Sequence, residues 1–363
     1  LKGNHFLRAV AAAVAAAILL VFAGAASAPS AKSAILIDQT TGRVLYEKNA
    51  DERRLIASTT KIMTGLLVCE RGDLDARVPI PPEAVGIEGS SMCLKAGQTR
   101  TVRELLYGML LISGNDAAVA LALHEDGSVP GFVARMNRKA ASLGLQSTHF
   151  ANPNGLDDEG NYSTARELAK IAREALKNET FRAAVSTKSI EIGDRTLTNH
   201  NKLLWRCEGA IGVKTGYTKA AGRILVSAAA RNGRTLVCVT LSDPDDWRDH
   251  EALLDYGFGL LKEKTILRPG QIVGSVPVVS GRRNSVPLRA AAGLSCRLYD
   301  GETVSLRVLA PSFVYAPVRA GEPAGALEIL LDGEVYCRQT LYYAAGTPLK
   351  AAEKSFWQRL FGG

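Results

Sequence analysis

The chain has 363 residues, 47% of them hydrophobic and 22% charged, with a formal charge of +8. That composition supports a packed globular core and excludes disorder as the default, and the length fits one large domain or two ordinary ones. Lys and Arg are scattered, not blocked, which argues against a nucleic-acid-binding arm. The positive excess suits a neighbourhood of anionic lipid or polymer as well as it suits an ordinary solvated surface.

At the N-terminus, Lys2, His5 and Arg8 precede an apolar run from Ala9 to Phe22, and small residues including Ala26-Ser27-Ala28 follow. This three-part pattern predicts a secretory signal peptide over residues 1–28. The run is short for a membrane span, which needs about 20 residues. Cleavage after Ala26 or Ala31 is an alternative to cleavage after Ala28. The cysteines are Cys69, Cys93, Cys207, Cys238, Cys296 and Cys337, with no C-x-x-C pair, so zinc and thioredoxin chemistry gain little support. Export would permit disulfides. Cys69 and Cys238 nevertheless sit in apolar stretches, where a thiol behaves as a small hydrophobe. Mostly free thiols are expected, with Cys296–Cys337 the one pairing to test.

Ser33 to Asp38 and Arg43 to Glu47 read as strands of a hairpin turning at Thr40-Thr41-Gly42. Helical patterns follow over Thr59 to Glu70, Thr101 to Leu111, Asp116 to His124, Pro130 to Leu143 and Thr164 to Leu176. Thr101 with Glu104 forms a capping-box pattern, and Ser128 before Pro130 suits a helix start. Strands return at Ile211 to Lys214, Arg223 to Ala230 and Thr235 to Leu241, the last two joined through Asn232-Gly233, a strong hairpin signal. Trp247 to Lys262 reads as a closing helix. Strands, then helices, then strands predict an α+β fold, an antiparallel sheet carrying a helical cluster, over residues 29–262.

From about Glu263 the pattern is β only: Val273 to Val279, Ser285 to Ala291, Val304 to Leu309, Gly325 to Leu331 and Glu334 to Tyr343, with a turn at Asp332-Gly333. This predicts a small all-β domain over residues 263–346. In the tail, residues 347–363, the stretch Leu349 to Phe361 has helical spacing, with Phe356, Trp357, Leu360 and Phe361 set among Lys350, Lys354 and Arg359. Such a helix is too short to span a bilayer but suits the membrane interface. Docking on the β domain is the competing reading.

Three short motifs carry the chemistry. Ser58-Thr59-Thr60-Lys61 opens an apolar helical run, so the Ser58 hydroxyl and the Lys61 amine share one helical face. A serine needs a base to become a good nucleophile, and burial can depress a lysine enough to serve. Ser113-Gly114-Asn115 lies between two predicted helices, where Ser113 can relay a proton and Asn115 can both donate and accept. Lys214-Thr215-Gly216 ends a predicted strand. There a cation, a hydroxyl and a bare backbone could receive an extended peptide with a carboxylate. Taken singly, each motif has an ordinary explanation as a cap or a turn; their order together does not.

The order S-x-x-K, S-x-N, K-T-G resembles the signature of penicillin-binding proteins and class A β-lactamases. The match is denser than the three motifs. Ile56 to Thr64, Gly89-Ser90-Ser91-Met92, Leu111 to Ala117, Asn152-Pro153-Asn154-Gly155-Leu156, Tyr162 to Ala165 and Val213 to Thr218 with Ala221-Gly222 are similar to a low-molecular-weight penicillin-binding protein. That type is a D-alanyl-D-alanine carboxypeptidase with a C-terminal β domain. The resemblance implies a β-lactamase/transpeptidase-like first domain, no metal or other cofactor, and a location outside the cytoplasmic membrane. Peptidoglycan stem peptides would be the substrate and β-lactams covalent inhibitors.

It also implies roles. Ser58 is the nucleophile, Lys61 the base, and Ser113 and Lys214 the proton route to the leaving D-alanine, with Asn115 orienting Lys61 and substrate. The N–H groups of Ser58 and Tyr217 form the oxyanion hole beside Gly216, and Thr215 and Arg248 hold the terminal carboxylate. His200 stands where relatives can carry a stronger base, which weakens its expected grip on that carboxylate. A β-lactamase would need an acidic residue for deacylation. No Glu-x-x-Leu-Asn lies between Ser113 and Lys214, and Glu174-Ala175-Leu176-Lys177-Asn178 has the wrong spacing. A non-catalytic wall-binding or penicillin-sequestering protein is the other alternative, and the intact Ser58, Lys61 and Lys214 argue against it.

Overall fold

The structure, a computed structural model, describes residues 28–351. The expected signal segment up to Ser27 and the tail from Ala352 onward therefore lie outside the described residues. The chain forms two compact units, one ending at Gly259 and one beginning at Leu260.

The first unit is built on a five-stranded antiparallel sheet of β1 (Ser33–Asp38), β2 (Val44–Lys48), β3 (Ala210–Thr218), β4 (Gly222–Arg231) and β5 (Arg234–Leu241), in the order β2-β1-β5-β4-β3. Its central strands are buried on both faces, which explains why they read as continuous apolar runs. One face sends Ile35, Ile37, Ile224, Val226, Val237 and Val239 into a large core shared with the helices. On the other face, Leu36 and Leu236 lie against the backbone of α7 (Asp246–Gly259), where a Cβ on Gly257 would come within 2.6–2.7 Å of both. The helical cluster comprises α1 (Lys61–Arg71), α2 (Val102–Leu111), α3 (Asn115–Asp126), α4 (Val129–Ser142), α5 (Ala165–Ala175) and α6 (Glu179–Ser186).

Local signals explain most boundaries. The Thr101–Glu104 capping box is present in full, and Ser128 caps α4 with Pro130 in the first turn. Asn232 and Gly233 both adopt positive φ, as the β4–β5 hairpin requires. Three expectations change. The strand carrying Lys214-Thr215-Gly216 does not end there: it runs on to Thr218, because Gly216 keeps its register with Ile224 of β4. The closing helix stops at Gly259 rather than Lys262. Helix α6 and the hairpin Ser189–Ile192/Arg195–Thr198 fill a stretch without a clear period.

The second unit is all-β. A six-stranded sheet runs β10 (Val304–Leu309), β12 (Pro323–Leu331), β13 (Glu334–Tyr343), β8 (Ser285–Ala290), β7 (Ile272–Val279) and β11 (Val314–Tyr315). A separate pair joins β6 (Lys262–Leu267) to β9 (Leu294–Leu298). Leu288, Leu327, Ile329 and Leu341 centre its own core. The Cys337 thiol is free, so the Cys296–Cys337 bridge is not formed. The expected tail helix does not begin at Leu349. That residue bridges Gly281, and the Lys350 N–H donates to the Ser280 carbonyl at 2.8 Å, so the backbone is still extended and tied to the β unit. Among the described residues no helix is long and apolar enough to cross a membrane.

Candidate active site

Ser58 sits in a 3-10 turn, Ala57–Thr60, that leads directly into α1. The turn is pinned from two sides. The Asn152–Leu156 loop presses on it so closely that a Cβ on Gly155 would lie 2.0 Å from the Ala57 carbonyl oxygen. Strand β3 presses from the other side, where a Cβ on Gly216 would lie 3.3 Å from the Ser58 nitrogen. A side chain at either position would push the nucleophile's backbone aside, and this close approach is what the glycine in Lys214-Thr215-Gly216 permits.

Lys61 follows one turn later and is fully buried. Its Nζ lies 3.0 Å from Ser58 Oγ and donates to Asn115 Oδ1 at 2.6 Å and to the Asn154 carbonyl. The Asn154 loop is held on α1 by Thr64 Oγ1, which donates to the Pro153 carbonyl at 2.7 Å. Burial drives the Lys61 amine well below its ordinary value; the nearby Lys214 charge adds to this and Asp116 opposes it. Lys214, also buried, is pushed down to about 7 by burial, and its Nζ donates to the Thr215 carbonyl at 2.9 Å. Two lysines with depressed affinity for protons can accept and return them near neutrality.

Asn115 opens α3, and its Nδ2 donates to the Glu88 carbonyl at 2.5 Å. Neighbouring Asp116 accepts from the Met92 N–H at 2.9 Å, the Leu94 N–H at 3.1 Å and the Ser91 hydroxyl at 2.6 Å. Its carboxylate thereby fastens the Gly89–Met92 loop, which brings Ser90 to the cleft. Ser113 adopts a positive φ of 63° in the loop between α2 and α3. The His200 N–H donates to the Leu111 carbonyl at 2.9 Å, tying that segment to the same loop.

A cleft of about 280 Å³ opens over Ser58, with Ser113, His200, Thr215, Gly216 and Tyr217 among its walls. Of the sequence-predicted site residues, Ser58, Ser113, His200, Thr215, Gly216 and Tyr217 line the cleft, while Lys61 and Asn115, bonded to each other, and Lys214 are buried. Arg248 is not among the lining residues; its side chain is 78% exposed, with Asp245 at 3.9 Å as its carboxylate neighbour. The cleft instead contains Arg223, Asp246 and Trp247, which no motif singled out. Burial, with the Lys214 charge, holds His200 below the ordinary imidazole range, so it is a weak anchor for an anion.

Residues 21–245 match the D-alanyl-D-alanine carboxypeptidase family of peptidases, and residues 261–351 match the C-terminal domain of penicillin-binding protein 5. The chain is 36% identical over 324 residues to the D-alanyl-D-alanine carboxypeptidase DacF of Bacillus subtilis, covering 85% of this chain and 83% of that one. It is 42% identical over 245 residues to a D-alanyl-D-alanine carboxypeptidase of Streptomyces sp. strain K15, covering 61% and 84%. Penicillin-binding protein 5 of Haemophilus influenzae has a similar structure, with a TM-score of 0.64 at 30% identity over 89% of this chain and 99% of that one. With its S-x-x-K serine beside a buried lysine and its appended β unit, the chain belongs to the D-alanyl-D-alanine carboxypeptidase family, the low-molecular-weight penicillin-binding serine peptidases.

Proposed function

We propose that Ser58 carries the acyl group when this enzyme removes the terminal D-alanine from a peptidoglycan stem peptide. The observation that carries the assignment is the fully buried Lys61 amine, 3.0 Å from Ser58 Oγ and oriented by Asn115. Lys61 in its neutral form takes the Ser58 proton as the Oγ–carbon bond forms. The N–H groups of Ser58 and Tyr217 stabilise the oxyanion, which the close packing of β3 on the Ser58 turn favours. The C–N bond then breaks, and the departing D-alanine nitrogen receives a proton through Ser113 and Lys214. Water attacks the ester, releasing the shortened peptide and restoring Ser58. Thr215 lies beside the leaving residue.

Mass spectrometry of a pentapeptide incubated with the protein tests the activity: loss of one D-alanine is expected. Labelling with a fluorescent penicillin tests the residue. The label should persist on the wild type and be absent from folded Ser58→Ala; a label surviving there removes Ser58 from the role. Rapid loss of label by the wild type would favour a β-lactamase.

Export through residues 1–28 and interfacial membrane binding by the segment after Lys350 complete the proposal. Both rest on sequence pattern alone. Liposome co-sedimentation with and without residues 351–363 tests the second part. Salt-sensitive binding to anionic lipid, lost on truncation, is expected; equal sedimentation of both forms would overturn it.

A further inference from the structure

We propose that the end of the β unit where β7 meets β11 is a lipid-facing surface: Val279, Phe313 and Tyr315 enter the headgroup boundary of an anionic bilayer, and Arg282, Arg283 and Lys350 meet its phosphates. The inference shares with interfacial binding by the tail a location at such a bilayer. It adds a second contact, made by the folded β unit itself.

Strand β11 pairs in parallel with the end of β7, with Val278 opposite Val314 and Val279 opposite Tyr315. Alternation along extended backbone sorts the side chains onto two faces. Val278 and Val314 pack into the core of the β unit. Val279, Tyr315 and Phe313, the residue before β11, are 41%, 68% and 48% exposed. The Phe313 and Tyr315 rings meet edge to face with centroids 5.5 Å apart, so they form one aromatic ridge. The ridge lies where the described chain ends. The Lys350 N–H donates to the carbonyl of Ser280, the residue after Val279, at 2.8 Å, and the Arg282 N–H donates to the Pro348 carbonyl at 3.1 Å. The stretch holding Lys354, Phe356, Trp357 and Arg359 therefore follows in sequence from a point beside the ridge.

The charge around the ridge has one sign. No Asp or Glu occurs from Gln271 to Tyr299, from Thr303 to Gly321 or from Val335 to Ala352, the segments that supply the ridge and its rim. Arg282, Arg283 and Lys350 are exposed. Two carboxylates of the β unit face other arginines: Glu328 meets Arg307 and Arg338, and Glu322 meets Arg319. An ordinary solvated surface intersperses both signs. Aromatic rings rimmed by cations alone fit an anionic lipid interface, where rings sit at headgroup level and Lys or Arg meets phosphate. A second copy of the chain would bring the same positive charge to the contact, and a soluble polyanion would leave the rings in water. One weak membrane signal gives only reversible binding, and a second strengthens it.

Vesicles of phosphatidylcholine, with and without phosphatidylglycerol, are the probe, used with the chain that includes the tail. Tyr315→Trp places a reporter on the ridge. Its emission, taken as the difference from the unmutated chain, should shift to the blue on anionic vesicles and be quenched by brominated acyl chains. Phe313→Ser/Tyr315→Ser should weaken partition onto anionic vesicles by roughly 10-fold. Arg282→Gln/Arg283→Gln should weaken it by roughly 5- to 30-fold at low salt and leave neutral vesicles unaffected. All four positions are exposed, and penicillin labelling in solution, which reads the first unit, should not change. A reporter that stays in water on sedimented vesicles, or a ridge variant that binds as well as the unmutated chain, would overturn the inference. Interfacial binding by the tail fails separately. If removal of residues 351–363 leaves binding intact while the ridge variant loses it, the ridge holds and the tail does not; loss on truncation with no effect of the ridge variant gives the reverse. No binding by the unmutated chain overturns both.

Discussion

At the scale of single residues, the site works by denying water to two amines. In the proposed mechanism Lys61 must be neutral to take the Ser58 proton, so acylation should fall as pH drops through its depressed value. In the proposed mechanism Lys214 serves as a cation and proton carrier, so activity should fall again as pH rises through about 7. A bell-shaped profile of kcat/KM is expected. Lys214→Arg should retain measurable acylation and lose the alkaline limb, because a guanidinium does not release its proton in that range. Lys61→Arg keeps a charge but cannot act as a base, and should lower acylation by about 10²- to 10⁴-fold. Equal loss in both arginine variants, or an unchanged alkaline limb in Lys214→Arg, would refute this division of roles. The same burial has a stability consequence. Between about 7 and the unperturbed 10.5 the unfolded chain binds a proton at Lys214 that the folded chain does not, so stability rises with pH across that window. The rise should be smaller in Lys214→Met, as measured by thermal melts between pH 7 and 9.5.

At the scale of elements, β4, β5 and α7 are joined by one buried imidazole. His250 Nδ1 lies 2.6 Å from the Ser227 hydroxyl and Nε2 lies 2.9 Å from the Thr240 hydroxyl. Burial pushes its value down to about 3, against a small opposing effect of Asp249. The folded state therefore refuses a proton that the unfolded state accepts below about 6.5, and stability is lost as pH falls from there towards 3. His250→Phe removes the titration but leaves the buried Ser227 hydroxyl without its imidazole partner. It should cost about 1–3 kcal/mol at pH 7 and flatten the pH dependence of stability between pH 6.5 and 4. A denaturation series that stays as steep as the wild type would show that other groups drive acid unfolding. The elements differ in how legible they are. Capping boxes, Asn-Gly turns and long amphipathic runs act locally, so α2, α4 and the β4–β5 hairpin are readable from sequence. The strand Lys262–Leu267 reads Lys-Glu-Lys-Thr-Ile-Leu, is mostly exposed, and exists because Leu294–Leu298 pairs with it. The extension of β3 beyond Gly216 likewise depends on register with β4 rather than on local preference. Ser58, Lys61, Ser113, Asn115 and Lys214 could be found from motif order. Arg223 and Asp246 could not, because they meet only when β4 and α7 are packed. The Asn154 carbonyl carries no side-chain signal for its contact with Lys61.

At the scale of the whole molecule, the two units carry separate hydrophobic cores. Every buried residue of the large core lies between Ile35 and Leu241, and those of the β unit's main core lie between Leu267 and Tyr343. The side chains and carbonyl assigned to the cleft chemistry, from Ser58 to Trp247, all belong to the first unit. The Streptomyces relative matches only 61% of this chain while covering 84% of its own length, so an enzyme of this family can extend little beyond the first unit. A unit of more than 200 residues with its own buried core is large enough to fold alone. Residues 28–259, produced without the β unit, should therefore unfold cooperatively and be acylated by penicillin at Ser58 at a rate within about threefold of the longer chain, the scatter expected when no part of the site is removed. Their melting transition should coincide with one of the transitions of the longer chain, and Lys61→Arg should slow labelling by the same factor in both backgrounds. A fragment that folds but is not acylated would mean that the β unit completes the site. One that does not fold would mean that the large core depends on the second unit for its stability.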